Sequence, residues 1–146
     1  MIGQLLSNEA VSEALQIIQN EFLLAIWETV YVTLLSTLFS VIIGLPLGVL
    51  LVVGEKDGVL PLPRPVLTVL GVVINLLRSI PFLILMILVI PLTRVIVGTS
   101  VGTTASIVPL VIAAAPFVAR LVESSLRELN PNIIEAAQSM GASPMQ

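Results

Sequence analysis

Between Glu28 and Glu55 the chain carries no charged residue, and the stretch from Thr29 to Val53 is almost wholly apolar. Crossing a bilayer as a helix takes roughly 20 apolar residues, so a run of this length and composition belongs in a membrane. In oil every backbone N–H and C=O needs an internal partner, and lipid-exposed strands persist only in closed barrels. The length of the run therefore argues for helix. Two more stretches share its character. One runs roughly from Pro65 to Leu92, interrupted by Arg78; the other starts near Gly98, stays uncharged to Ala119 and continues as an amphipathic helix to about Leu129. The expectation is an all-α, polytopic membrane protein with three transmembrane helices.

Composition agrees. The 146 residues are 57% hydrophobic and 10% charged, with a mean hydropathy of +1.13. Soluble domains carry about 25% charge. A net charge of −3 argues against nucleic acid as a partner, since phosphate binding needs clustered Lys and Arg. Cysteine and histidine are both absent, which excludes thiolate nucleophiles, Cys-based zinc sites and imidazole bases. The single lysine, Lys56, sits in "VVGEKDG", which is no phosphate-binding loop. The chain is therefore expected to be no enzyme, to hold no metal and to have no ATPase site of its own.

Residues 1–28 read as a separate extracytoplasmic arm. Ile2, Leu5, Leu6, Val11, Leu15, Ile18 and Phe22 recur at roughly helical spacing among polar residues, the pattern of an interfacial helix lying against the membrane. Trp27 and Tyr31 stand where an aromatic anchor is useful. Lys56, Arg64, Arg120 and Arg127 fall on one side of the spans and Arg94 on the other. The positive-inside rule then places the N-terminus outside and the closing segment in the cytoplasm.

Four features stand out within this frame. Ser36, Ser40, Gly44 and Gly48 recur every fourth residue, a small-residue face suited to close helix packing or, with Pro46 between the glycines, to a hinge. Arg78 lies in an apolar stretch, where insertion costs about 2.5–3.5 kcal/mol. It either snorkels or pins helix to helix, or it lines a translocation path. Pro81 frees a backbone carbonyl near position 77, while Pro109 and Pro116 bend the third helix. The pairs Arg120–Glu123 and Glu123–Arg127 have helical spacing and read as a solvated helix face. The closing stretch "NPNIIEAAQSMGASPMQ" is a short cytoplasmic helix: Asn130 caps it with Pro131 at the first position, or Asn132 caps it with Glu135 in a box-like arrangement. Gly141 suits the left-handed end, and Ser143-Pro144 reads as the start of another helix.

"EAAQSMGAS", Glu135 to Ser143, resembles the EAA loop of ATP-binding-cassette (ABC) importer permeases. "WETVYVTLLSTLFSVIIGLPLGVLL", "NLLRSIPFLILMILVIPLTRVIVGTSVG" and "IVPLVIAAAPFVARLVESSLREL" resemble the methionine-uptake branch of that family, and Arg78 and Pro81 correspond to a related Arg-x-x-Pro element of the more distant polar amino-acid permeases. The resemblance implies a permease domain over 29–146 within a five-helix fold in the cytoplasmic membrane, translocating an amino acid, D- or L-methionine before others. It further implies a homodimer of permeases, two ATP-binding subunits that hold the ATP and Mg, and an extracytoplasmic binding protein. Glu135, Ala136, Ala137 and Gly141 would form the coupling helix: Glu135 stabilising its start, the alanines keeping the docking face flat, Gly141 permitting the turn. The family's motif continues to an Ile-x-Leu-Pro element and further helices, so the chain is expected to be an incomplete permease. The alternatives are a permease for a polar amino acid or phosphonate, and a small membrane scaffold that transports nothing.

Overall fold

The computed structural model describes residues 8–55, 58 and 60–143. Among these residues five helices follow in order: α1 (Asn8–Val53), α2 (Arg64–Ser79), α3 (Phe82–Val97), α4 (Thr103–Arg127) and α5 (Pro131–Ser139). By length and composition α1 and α4 can each cross a membrane, and α2 with α3 makes a third span if the bent pair is counted as one.

The α1–α4 seam is the spine of the fold. Ser36, Ser40, Gly44 and Gly48 all lie on the buried face of α1, and the two glycines meet α4 backbone to backbone. A Cβ placed on Gly44 would stand 2.6 Å from the carbonyl oxygen of Ala115, and one on Gly48 would stand 2.5 Å from that of Ala119. Such distances leave no room for a methyl group, so glycine is required here by approach alone. Leu51, Ile74 and Ala119 form the buried core where α1, α2 and α4 converge.

Two features differ from the sequence expectations. The described part of the N-terminal arm is no separate helix, because α1 continues without a break from Asn8 to Val53. At 1.5 Å per residue its 46 residues reach about 69 Å. No Pro or Gly falls between Asn8 and Ile43 to interrupt the helix, so the apolar span propagates directly into the arm. Residues 1–7 of the expected amphipathic pattern lie outside the described residues.

The second stretch is broken. α2 and α3 meet at Ile80–Pro81 with a bend of 115°. Pro81 clashes with a helical conformation at the residue before it, and Ile80 is accordingly extended, with φ −77° and ψ 126°. Pro81 therefore does more than release one carbonyl. It ends α2 and opens α3 as its N-cap residue. Pro46, Pro91, Pro109 and Pro116 all sit inside helices that continue through them.

Leu85, Val89 and Thr93 make the buried stripe of α3, which packs on α4. Its opposite side leaves Leu83, Ile87 and Leu88 exposed, as expected of a lipid-facing surface. Gly98, in the left-handed conformation at φ +83°, closes α3.

Candidate functional site

The charged end of the bundle is built on α4. Its buried face runs through Ala115, Ala119 and Glu123 at every fourth residue, so the face that starts as alanine ends on a carboxylate. Glu123 is buried to 6% exposure. Its Oε2 accepts a hydrogen bond from Arg120 Nη1, while Oε1 accepts from Arg127 Nε at 3.1 Å and Nη2 at 2.9 Å.

Each arginine then reaches another helix. Arg127 Nη2 donates to Glu55 Oε1, two residues past the end of α1, at 2.7 Å. Arg120 Nη2 donates to Asn75 Oδ1 of α2 at 2.8 Å and approaches the Gly71 carbonyl oxygen at 3.5 Å. These charges are a tie across three elements, whereas the sequence reading made them a solvated face. A buried carboxylate is tolerated when paired and hydrogen-bonded, and Glu123 has an arginine on each oxygen. The four-residue repeat Ala115–Ala119–Glu123 was the available signal, since it carries the packed face of α4 straight onto Glu123.

Arg78 sits in the last turn of α2, where a cation complements the helix dipole. Its side chain is exposed and lines a cleft of about 330 Å³ with Phe117, Arg120, Leu121 and Ser124. Pro81 lies three residues on, at the break, and does not line that cleft.

Three residues past Arg127, Asn130 caps the start of α5. Its side-chain oxygen accepts from the Asn132 N–H at 3.0 Å, with Pro131 in the first turn. That resolves the two capping alternatives in favour of Asn130, because proline needs no partner for a missing N–H and its fixed φ suits the first position. Glu135 consequently lies beyond the first turn, which contains no acidic residue. It neither forms a capping box nor stabilises the helix start. Its backbone carbonyl accepts from Ser139 Oγ at 2.8 Å.

The far end of α5 is a Schellman turn. Ala142 N–H bonds the Ala137 carbonyl at 3.0 Å and Gly141 N–H bonds that of Gln138 at 2.9 Å, the pairing that a left-handed residue at the helix end produces. Gly141 has φ +87°, and a Cβ there would meet nothing within 4 Å. The demand for glycine is conformational rather than spatial. Glu135, Ala136, Ile133, Ile134 and Met140 are exposed, and Ala137 is half-buried. α5 thus presents a shaped surface whose apolar side the other described residues leave open. Pro144, the second half of the expected next cap, lies outside the described residues.

Comparison with known proteins gives a consistent picture. Residues 44–146 match the family of binding-protein-dependent transport system inner membrane components. The probable D-methionine transport system permease protein MetI of Vibrio cholerae is 51% identical over 124 residues, covering 85% of this chain and 55% of the relative. MetI of Escherichia coli K12 is 50% identical over 121 residues, with 83% and 55% covered. Among solved structures, an inward-facing conformation of the MetNI methionine ABC transporter superposes with a TM-score of 0.78 at 48% identity, covering 82% of this chain and 55% of that one. The chain spans about half the length of the curated relatives it matches.

Proposed function

We propose, from the premise that this chain belongs to the binding-protein-dependent transport system inner membrane component family, that it is membrane-spanning sequence of an ATP-driven amino-acid importer. The substrate class is methionine, supported by the relatives named for D-methionine transport. ATP and Mg are held by a separate subunit, two of which sit beneath a pair of permeases, and a binding protein delivers substrate from outside. In this reading the N-terminus is outside, with Arg64, Arg120 and Arg127 at the cytoplasmic end. Lys56, on the same side, lies outside the described residues.

The observation that carries this reading is the pairing of an exposed, firmly terminated α5 with a buried ionic tie immediately before it. A helix of nine residues is marginal alone. Its ends are fixed locally by Asn130 and Gly141, and its open side suits a cleft on another protein. Glu135, Ala136 and Ala137 form the docking surface. Motion imposed on α5 reaches α4 within a few residues, and the Glu123 tie spreads it to the end of α1 and to α2. The membrane helices then move together, which is alternating access by rigid-body displacement. The Ser36–Gly48 stripe keeps α1 and α4 in register during that motion. Arg78 and Pro81 shape the cytoplasmic end and the bend of the α2–α3 pair.

The test is co-purification of the full-length permease with its ATP-binding subunit, using Gly141→Val. The valine disfavours the left-handed turn and is expected to abolish both assembly and ATP-coupled methionine uptake. Survival of both in the variant would show that α5 is no docking helix.

A further inference from the structure

The polar residues of α2 fall on one line. Arg64, Thr68, Gly71, Asn75 and Arg78 alternate at intervals of four and three, which keeps them on one helix face. Val66, Val69, Val73 and Leu76 on the opposite side are all exposed. An amphipathic helix of this kind suits the boundary between hydrocarbon and headgroups. α4 sets the same level, since its uncharged run ends at Ala119 and its charges begin with Arg120.

Among the described residues no carboxylate lines the cleft. Glu123 and Glu55 are already engaged by Arg120 and Arg127. Arg78 has no hydrogen-bonding or ionic partner among the described residues. Arg120 Nε is buried and likewise lacks an acceptor among them. The cleft between them is therefore short of an anion. Its other lining residues are Phe117 and Leu121, both more than half exposed, and Ser124.

We propose that this cleft binds the phosphate of an anionic phospholipid, with Arg78 as the principal cation and the lipid's acyl chain lying along Phe117 and Leu121. Guanidinium matches phosphate oxygens in geometry and charge, and basic pockets between membrane helices are suited to lipid headgroups. A free phosphate has the same polar chemistry but no use for the apolar wall. The assignment rests on this cleft alone and does not depend on the transport reading.

The experiment is native mass spectrometry of the full-length permease in detergent. The probes are dioleoyl phosphatidylglycerol, dioleoyl phosphatidylcholine and inorganic phosphate. The wild type is expected to retain phosphatidylglycerol about tenfold over phosphatidylcholine. Arg78→Gln should lose that preference, Arg78→Lys should keep most of it, and Arg94→Gln, near the opposite end of the bundle, should leave it unchanged. Leu121→Ser, which trims the wall and leaves every charge in place, should weaken retention and guards against misfolding of the glutamine variant. Equal retention by wild type and Arg78→Gln would overturn the site, as would an equal loss in Arg94→Gln. Binding of inorganic phosphate through Arg78 without retention of phosphatidylglycerol would overturn the lipid as its occupant.

Discussion

The α1–α4 seam and α5 are both helical and both depend on glycine, yet for opposite reasons. Gly44 and Gly48 are needed because α4's backbone occupies the space a side chain would take. Gly141 is needed although the space around it is empty, because its φ of +87° is one that L side chains rarely adopt. One region is held by its neighbours. The other is held by its own caps and leaves most of its side chains exposed. A membrane helix pair can rely on packing because the bilayer already enforces helix formation, whereas a short helix in water needs punctuation at each end.

That contrast can be broken most severely at the seam. Replacing Gly44 and Gly48 together by valine is expected to abolish folding, since overpacking costs about 1–3 kcal/mol per site even where side chains alone must shift. The measure is the yield of monodisperse protein in detergent, and a well-behaved double variant would mean that the helices do not meet as closely as described. Next in size is Glu123→Ala, which leaves Arg120 and Arg127 without their shared carboxylate. A loss of about 3 kcal/mol is expected from breaking a buried pair, read as a lowered midpoint of thermal unfolding. An unchanged midpoint would return these charges to the solvated face first inferred for them.

α5 should respond differently. Gly141→Val is expected to cost about 1–2 kcal/mol, and Asn130→Ala about 1 kcal/mol. Both losses should be confined to the helix end concerned. Hydrogen exchange across 131–142 should quicken while the global unfolding midpoint stays put. A fall in the global midpoint would show that α5 is packed into the bundle after all, and the distinction between the two regions would collapse.

Much of this was legible in the residues themselves. The long uncharged runs mark α1 and α4, because no soluble fold can use them, and the four-residue spacing from Ser36 to Gly48 places a flat face where the seam lies. Asn130-Pro131 and Gly141 bracket α5 through local chemistry that needs no tertiary context. What escaped reading depends on neighbours distant in sequence. Nothing near Glu123 reveals that Glu55 and Asn75 stand within reach of its arginines, since those partners come from other helices. Pro81 breaks its helix while Pro91 does not, although both follow an isoleucine. The unbroken course of α1 was concealed by a change in polarity near Glu28 that a helix passes through without interruption.

The bend at Ile80–Pro81 has a mechanical consequence for the surrounding lipid. α2 and α3 have 16 residues each, or about 24 Å per arm, against a hydrocarbon core of about 30 Å. Neither arm reaches across by itself, and a bend of 115° at their junction keeps them from adding their lengths. An arm lying in the hydrocarbon is shorter than that core, and such a mismatch costs fractions of a kcal/mol per ångström. Shorter acyl chains relieve that strain and longer ones increase it, so bilayer thickness becomes a force acting on the elbow.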